Sequence, residues 1–170
     1  AWTVAPGARL AFATAWGGQP IVGRFERWRA DIVFSPHALT RSRVRVEVDL
    51  ASVSTGNPQR DAVLPGADWL GAPAQPTAVF VADRFQALGS GRFVAHGDLT
   101  LRGVTWPLDL AFALAIAGGQ ARVTGSASLD RTAFGVGQGE WKATDQIPAA
   151  VAVSIDLQAR SKNFTGPVGK

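Results

Sequence analysis

Two histidines, His37 and His96, are the side chains of this sequence best suited to hold a metal ion or relay a proton. A protein metal site needs three or four ligands, and the sequence has no cysteine to add to them. His96 and Asp98 share a face of a strand-like segment, so a metal ligand assisted by Asp98 is one interpretation. The other, which we expect, is a surface histidine hydrogen-bonded to its neighbours.

Nucleophilic catalysis is not indicated either. Four serines are candidate nucleophiles, but none has the Gly-x-Ser-x-Gly context of a hydrolase: Ser52, Ser54, Ser126 and Ser128. The adjacent pairs Arg60–Asp61 and Asp130–Arg131 are interpreted as structural ion pairs and turn contacts. The sequence therefore predicts no catalytic residue, no metal site, no cofactor and no enzymatic activity.

The composition is that of a globular protein with a sizeable core. Hydrophobic residues make up 46% of the 170 positions, charged residues make up 18%, and the formal net charge is +4. Arg43 and Arg45 alternate with valines, which indicates the solvent face of an amphipathic strand rather than a nucleic-acid-binding stripe. The sequence has no run of about 18 apolar residues, so no membrane-spanning helix is predicted.

Cysteine and methionine are both absent, and the chain begins with Ala1. A cysteine-free chain suits an oxidising compartment, and a small first residue suits cleavage by signal peptidase. We therefore expect a periplasmic or secreted protein whose signal peptide has been removed.

The elements that must position any site are mostly strands. Period-two alternation between turn residues predicts an all-β fold, with a bend or bulge at Gly23 and one short helical insert. The insert has Asn57 as its N-cap and Pro58 at its first position, and it ends before Pro65. The predicted strands cover 9–16, 21–34, 43–50, 77–85, 91–103, 107–116, 121–130 and 150–159.

Residues 108–116 alternate large with small side chains instead of apolar with polar. Leu, Phe and Ile make up one face, whereas alanines follow Asp109 on the other. Residues 9–16 show a similar division. The pattern suggests a closed barrel with space that side chains do not fill, the alanine face leaving that room. On periodicity alone, a Greek-key sandwich with an ordinary core stays open.

Five stretches go beyond periodicity, and together they resemble the YceI-like family of lipocalin-like polyisoprenoid-binding proteins. The most specific pieces are Ser54-Thr55-Gly56-Asn57 with Arg60–Asp61, and "GDLTLRGVT" over 97–105. The five stretches, in chain order, are "VEVDLASVSTGNPQRDAVLPGADWL", "PTAVFVADRF", "HGDLTLRGVTWPLDL", "LDRTAFGVG" and "VAVSIDLQA". The resemblance implies an extended eight-stranded antiparallel β-barrel with an internal hydrophobic cavity. We expect one such domain over 1–160 and a flexible tail over 161–170.

The resemblance also implies a function. Family members hold a long isoprenoid tail, of the polyprenyl or quinone (ubiquinone) type, inside the barrel. They are regarded as periplasmic carriers or sequestering proteins, and many are homodimers. Two alternatives stay open: a barrel that recognises a protein partner through its outer surface, and an accessory to quinone-linked redox chemistry.

Aromatic side chains are the candidate cavity lining, because broad apolar rings tolerate a flexible chain. Head-group candidates at the mouth are Asn57, Arg60 and Asp61, in the insert beside Trp69. A pyrophosphate would favour Arg60 and the amides near Asn57, whereas a quinone ring would stack on Trp69. Which strand faces point inward is left open by the sequence. The lining candidates are Phe12, Phe25, Phe34, Trp69, Phe80, Phe112, Phe134 and Trp141.

Overall fold

The computed structural model describes residues 2–137 and 147–161, and strands dominate this part of the chain. The eight predicted strand segments all form strands, because each alternates residues of two kinds between Gly- and Pro-containing turns. The strands are β1 (Trp2–Val4), β2 (Arg9–Trp16), β3 (Gln19–Phe25), β4 (Trp28–Val33), β5 (Arg43–Asp49), β6 (Val53–Ser54), β7 (Thr77–Gly89), β8 (Arg92–Leu101), β9 (Val104–Ala117), β10 (Gln120–Asp130) and β11 (Ala150–Ser161).

The strands close into one antiparallel barrel. The order of neighbours runs β4-β5-β7-β8-β9-β10-β11-β2-β3, and β1 pairs with both β11 and β4. Because β3 and β4 follow each other along one bent path, they count as one strand of the barrel wall. With β2, β5, β7, β8, β9, β10 and β11 the barrel therefore has eight strands. The eight-stranded barrel expected from the family resemblance is thereby confirmed, and the sandwich alternative is excluded, since a sandwich keeps two separate sheets.

The bend in the long segment 21–34 lies at Glu26 and Arg27 and not at Gly23, as the sequence suggested. The backbone amide of Glu26 donates to the carbonyl oxygen of Ser52, and the backbone amide of Arg27 donates to the Ser52 hydroxyl oxygen. The chain changes neighbours there, from β2 to β5. Gly23 stays in a regular strand, and it is glycine because the ring of Phe12 lies over it.

The helical insert forms as predicted. Helix α1 spans Pro58–Val63, with Pro58 at its start and the Asn57 side chain accepting from the amide of Arg60 at 3.0 Å. Further turns carry the chain to Gly71, whose φ of +66° favours glycine. Short 3-10 segments cover Leu39–Arg41, Leu50–Ser52 and Arg131–Phe134. In the described ranges, no helix is long and apolar enough to cross a membrane.

Gly97 lies where the pairing of β7 with β8 shifts register. A Cβ at this position would overlap the carbonyl oxygen of Val81 and approach the ring of Phe80 within 2.8 Å. The first glycine of the "GDLTLRG" stretch is therefore required by close packing.

Arg131 fastens the segment that follows β10 to the segment that precedes β11. Its side chain donates to the carbonyl oxygens of Val136 at 2.9 Å, Ile147 at 2.8 Å and Pro148 at 3.0 Å. The residue is only 2% exposed, and this burial lowers the pKa of its guanidinium. Asp130 accepts from the backbone amide of Thr132 at 2.9 Å and also from the Thr132 hydroxyl, and the hydroxyl contact lowers the pKa of that carboxyl most.

We expect Gly97→Ala to lower the free energy of unfolding by about 1–3 kcal/mol, since the added methyl group overpacks against backbone. Asp98→Ala, at the exposed neighbouring position, introduces the same side chain and is expected to stay within about 0.5 kcal/mol of wild type. Urea unfolding of both variants measures this difference. Equal effects would contradict the packing explanation.

We expect Arg131→Met to lower the free energy of unfolding by about 3 kcal/mol, because it leaves buried carbonyl oxygens without a donor. Arg122→Met removes an exposed arginine whose partner is Asp156 at 3.3 Å, and is expected to cost less than about 1 kcal/mol. Thermal unfolding of the two variants distinguishes them. If Arg131→Met were as mild as Arg122→Met, the anchoring role would be wrong.

Candidate functional site

The barrel lumen holds two adjoining cavities. The larger has a volume of about 220 Å³ and reaches the helical insert through Leu64, Trp69 and Leu70; it is called the insert-side chamber below. The smaller has a volume of about 70 Å³ and reaches Trp2 of β1; it is called the β1-side chamber. An engineered cavity of about 150 Å³ already binds benzene, so the lumen has room for an apolar guest.

Both chambers are lined almost entirely by hydrocarbon. Among the insert-side lining residues, Thr14 and Arg131 are the polar ones, apart from the indole of Trp69. Four residues line both chambers: Val46, Phe80, Leu110 and Ile155. Such a wall offers burial to an apolar ligand, and among the described residues that line it none is an Asp, Glu, His or Cys.

The alternation in residues 108–116 shows how the sequence builds this wall. Leu108, Leu110, Phe112 and Leu114 point into the lumen, whereas the alternating alanines of β9 lie on the outer surface. The predicted void is present, but the alanine face of β9 does not supply it. The void arises because other strands place alanines inward: Ala78, Ala95, Ala121, Ala127 and Ala159.

The insert covers the insert-side end of the barrel as a lid, defined here as residues 55–71. Asp61 holds its base, because its carboxylate accepts from the backbone amide of Thr55 at 2.9 Å and from the Thr55 hydroxyl at 2.6 Å. Arg102, in the turn between β8 and β9, donates to the carbonyl oxygens of Ala67 and Trp69. The Asp61–Thr55 contact thus closes the base of the lid on itself, whereas Arg102 joins the lid to the barrel. Trp69 and Leu70 add apolar packing of the lid against the buried core cluster.

The three predicted head-group residues lie in this lid but not on the cavity wall. The Asn57 side chain caps α1, and Asp61 bonds to Thr55. Arg60 donates to the Thr55 hydroxyl at 3.3 Å. The sequence predicted an ion pair between Arg60 and Asp61. In the structure, both side chains instead bond to Thr55. Their contact with a ligand stays a prediction.

Thr14 and Arg131 are the polar residues at the lid end of the wall, where their carbon atoms and not their polar atoms face the cavity. Ala13 pairs with Ala152 near the start of β11, and Arg131 directly follows the end of β10. The Thr14 hydroxyl is buried, and it has no hydrogen-bond partner within 2–137 and 147–161. An unpaired buried hydroxyl costs about 1–3 kcal/mol, so this atom is poised for a partner from outside the described chain.

The structure divides the aromatic candidates between the two chambers. Phe12, Phe25 and Trp69 line the insert-side chamber, and Phe80 lines both. Phe34 and Phe112 line the β1-side chamber.

The last two aromatic candidates, Phe134 and Trp141, are not among the described lining residues. Phe134 is 3% exposed and packs beside the lumen with Leu50 and Leu101, outside both linings. Trp141 lies outside the described residues.

Aliphatic side chains form most of the wall, and reasoning from aromatic residues alone missed them. Leu10, Leu99 and Leu129 are examples from three different strands. The signal that could have found them is the strand pattern itself, because each occupies the large side of a large/small or large/polar alternation.

The histidines are placed away from the lumen. His96 lies on the outer surface, where Nδ1 is 2.8 Å from Asp109 and Nε2 is 3.3 Å from Gln86. The expected surface role, a histidine hydrogen-bonded to its neighbours, is thus observed, with Asp109 and Gln86 as those neighbours. Across the described ranges, no group of three or more His, Cys, Asp or Glu side chains could hold a metal ion.

Solved structures with the same fold include the Burkholderia cenocepacia protein BcnA. It aligns with a TM-score of 0.85 at 25% identity, over 89% of this chain and 95% of its own. A polyisoprenoid-binding domain from Saccharophagus degradans, implicated in plant cell wall breakdown, aligns with a TM-score of 0.73. It is 15% identical and covers 95% of this chain and 98% of its own, so that likeness shows the fold.

Sequence comparison leads to the same group. A UPF0312 protein of Shewanella baltica is 31% identical over 144 residues, which are 81% of this chain and 72% of that protein. A UPF0312 protein of Vibrio vulnificus is 33% identical over 91 residues, or 54% of this chain and 48% of that protein. The profile of the YceI-like domain matches residues 2–159. With the barrel and its apolar lumen, this match over nearly the whole described chain shows that the protein belongs to the YceI-like family.

Proposed function

We propose that this protein binds the isoprenoid tail of a long-chain lipid in its lumen and that it does so without catalysis. The observation that carries the proposal is a chamber of about 220 Å³ in the barrel lumen whose wall is almost wholly hydrocarbon. The related fold of a polyisoprenoid-binding domain supports isoprenoid as the class of tail.

The lumen supplies the driving force by burying apolar surface. Each methylene group moved out of water contributes about 0.8 kcal/mol before ordering costs are subtracted. A branched tail of several isoprene units therefore binds tightly without polar contacts. The same wall gives no reason to distinguish one redox state of a quinone from another, so the redox-accessory role receives no support from it.

The head group is proposed to lie at the lid end. Thr14 and Arg131, the polar side chains of the wall, are both there. A rotation about χ1 of Thr14 exchanges its methyl group and hydroxyl, which turns the unpaired oxygen toward a ligand. The guanidinium of Arg131 is already bonded to three carbonyl oxygens, so its contribution is a positive charge near this end, which favours an oxygen-rich or anionic head group such as a quinone ring or a phosphate.

The lid is proposed as the route of access, since it is a short helical segment outside the strand ladder and Arg102 holds it through individual hydrogen bonds. A carrier must release its ligand, so the lid and not the sheet is expected to open. Carriage of a polyprenyl or quinone lipid in an exported compartment is the physiological role that we propose; the cysteine-free sequence supports that location.

A ring placed in the lumen is expected to abolish binding. Ala127 lines the insert-side chamber, whereas its neighbour Ser126 on β10 is exposed on the outer face. We expect Ala127→Phe to weaken binding of a polyprenol at least tenfold, while Ser126→Phe leaves it unchanged. Native mass spectrometry of both variants, titrated with the same polyprenol, measures the difference.

The reverse result, loss of binding in Ser126→Phe with full binding in Ala127→Phe, would place the ligand on the outer surface. A wild-type protein that binds none of the polyprenols, quinones or fatty amides offered would contradict the lumen proposal and favour a protein-binding module.

Loosening the lid is expected to speed release. Asp61→Ala removes the carboxylate that holds Thr55, and hydrogen bonds to a charged group contribute about 1.5–3 kcal/mol each. We expect the dissociation rate of bound polyprenol to rise about tenfold, since 1.4 kcal/mol corresponds to that factor. Asp68→Ala, an exposed acid in the same lid, is the control. An unchanged rate in Asp61→Ala, measured by stopped-flow competition, would move the access route away from the lid.

A further inference from the structure

We propose that the β1-side chamber selects the length of the isoprenoid tail. It binds the free end of the tail, and its two boundaries set the length that the protein accepts. This inference rests on the proposed function and adds a specificity to it. The boundaries are a narrowing at Leu110 and a closed end built from phenylalanine rings.

Leu110 lies where the two chambers meet, and this is the narrowing that we propose. Its side chain lines both of them, and it packs on one side against Val46 and Phe80. On the other side it packs against Ile155 and Leu157. Val46 and Phe80 are cross-strand partners on β5 and β7, so Leu110 spans from their side of the lumen to β11. A tail must pass this point to reach the β1-side chamber.

Four phenylalanines close the far end. The Phe34 ring lies 5.1 Å from Phe85, 5.3 Å from Phe93 and 5.6 Å from Phe112, in edge-to-face contacts. Phe93 and Phe112 stack at 5.5 Å. Phe34, Phe85 and Phe112 line the chamber, and Phe93 supports them from behind. Because the rings come from β7, β8, β9 and the residue after β4 and pack on one another, this end is a rigid wall.

Strand β1 reinforces the same wall. The indole of Trp2 donates to the carbonyl oxygen of Phe34 at 2.9 Å, and β1 pairs with both β4 and β11. This end differs from the lid end in two ways: strand pairing holds it in place, and its lining is less polar. The β1-side lining carries no polar side chain other than the Trp2 indole within the described ranges, so the apolar end of a lipid fits there and its head group does not.

The test changes the length of the chamber in both directions. Phe112→Ala opens the closed end, whereas Ala30→Leu fills the chamber, because Ala30 lies on its wall. Ala115→Leu is the matched control, since Ala115 lies exposed on the outer face of β9. Each variant is titrated by native mass spectrometry with geraniol, farnesol, geranylgeraniol and solanesol, after thermal unfolding has shown that it is folded.

We expect the tightest-binding length to move by at least one isoprene unit, upward in Phe112→Ala and downward in Ala30→Leu, with Ala115→Leu like wild type. If wild type binds the series and Ala30→Leu keeps the wild-type preference, or weakens all lengths equally, the length-selecting role is wrong. Ala30→Leu decides the matter even where Phe112→Ala does not fold. Binding of no isoprenol by wild type would instead contradict the proposed function.

Discussion

Closure of the sheet is the constraint on which the rest of this structure depends. Once β1 pairs with both β11 and β4, every inward side chain shares one lumen. An eight-stranded barrel has an interior that large side chains just fill, so small inward residues leave it partly empty. Inward alanines such as Ala78, Ala127 and Ala159 do so here, and the hydrocarbon around them makes the space suitable for a lipid tail and unsuitable for water.

The two ends of the lumen are held by different kinds of interaction, so they are not equivalent. At the β1 side, interlocking rings and a strand with two partners make a wall that opens only with the sheet. At the lid side, Asp61, Arg102 and the buried Arg131 hold short segments through individual hydrogen bonds. Polar contacts of this kind break and re-form separately, which is why the proposed access route is the lid and not the sheet.

The sequence predicted the strands, the helical insert and, through the family resemblance, the barrel, because period-two patterns and the Asn57–Pro58 start are local signals. It did not predict which face of β9 turns inward, since closure is a property of the whole sheet. It placed the bend at Gly23, whereas the bend follows the change of neighbours at Ser52. Arg60 and Asp61 are head-group candidates because they lie in the insert beside Trp69; the structure shows their contacts to Thr55, and their contact with a ligand stays a prediction.

The central claim is that the lumen is occupied by an isoprenoid tail in the working protein. The most direct test is native mass spectrometry of the wild-type protein purified without detergent, followed by solvent extraction and identification of what is released. The account predicts a bound species that leaves on denaturation and belongs to a series spaced by isoprene units. A mass equal to that of the bare chain, unchanged after incubation with polyprenols and quinones, would contradict it.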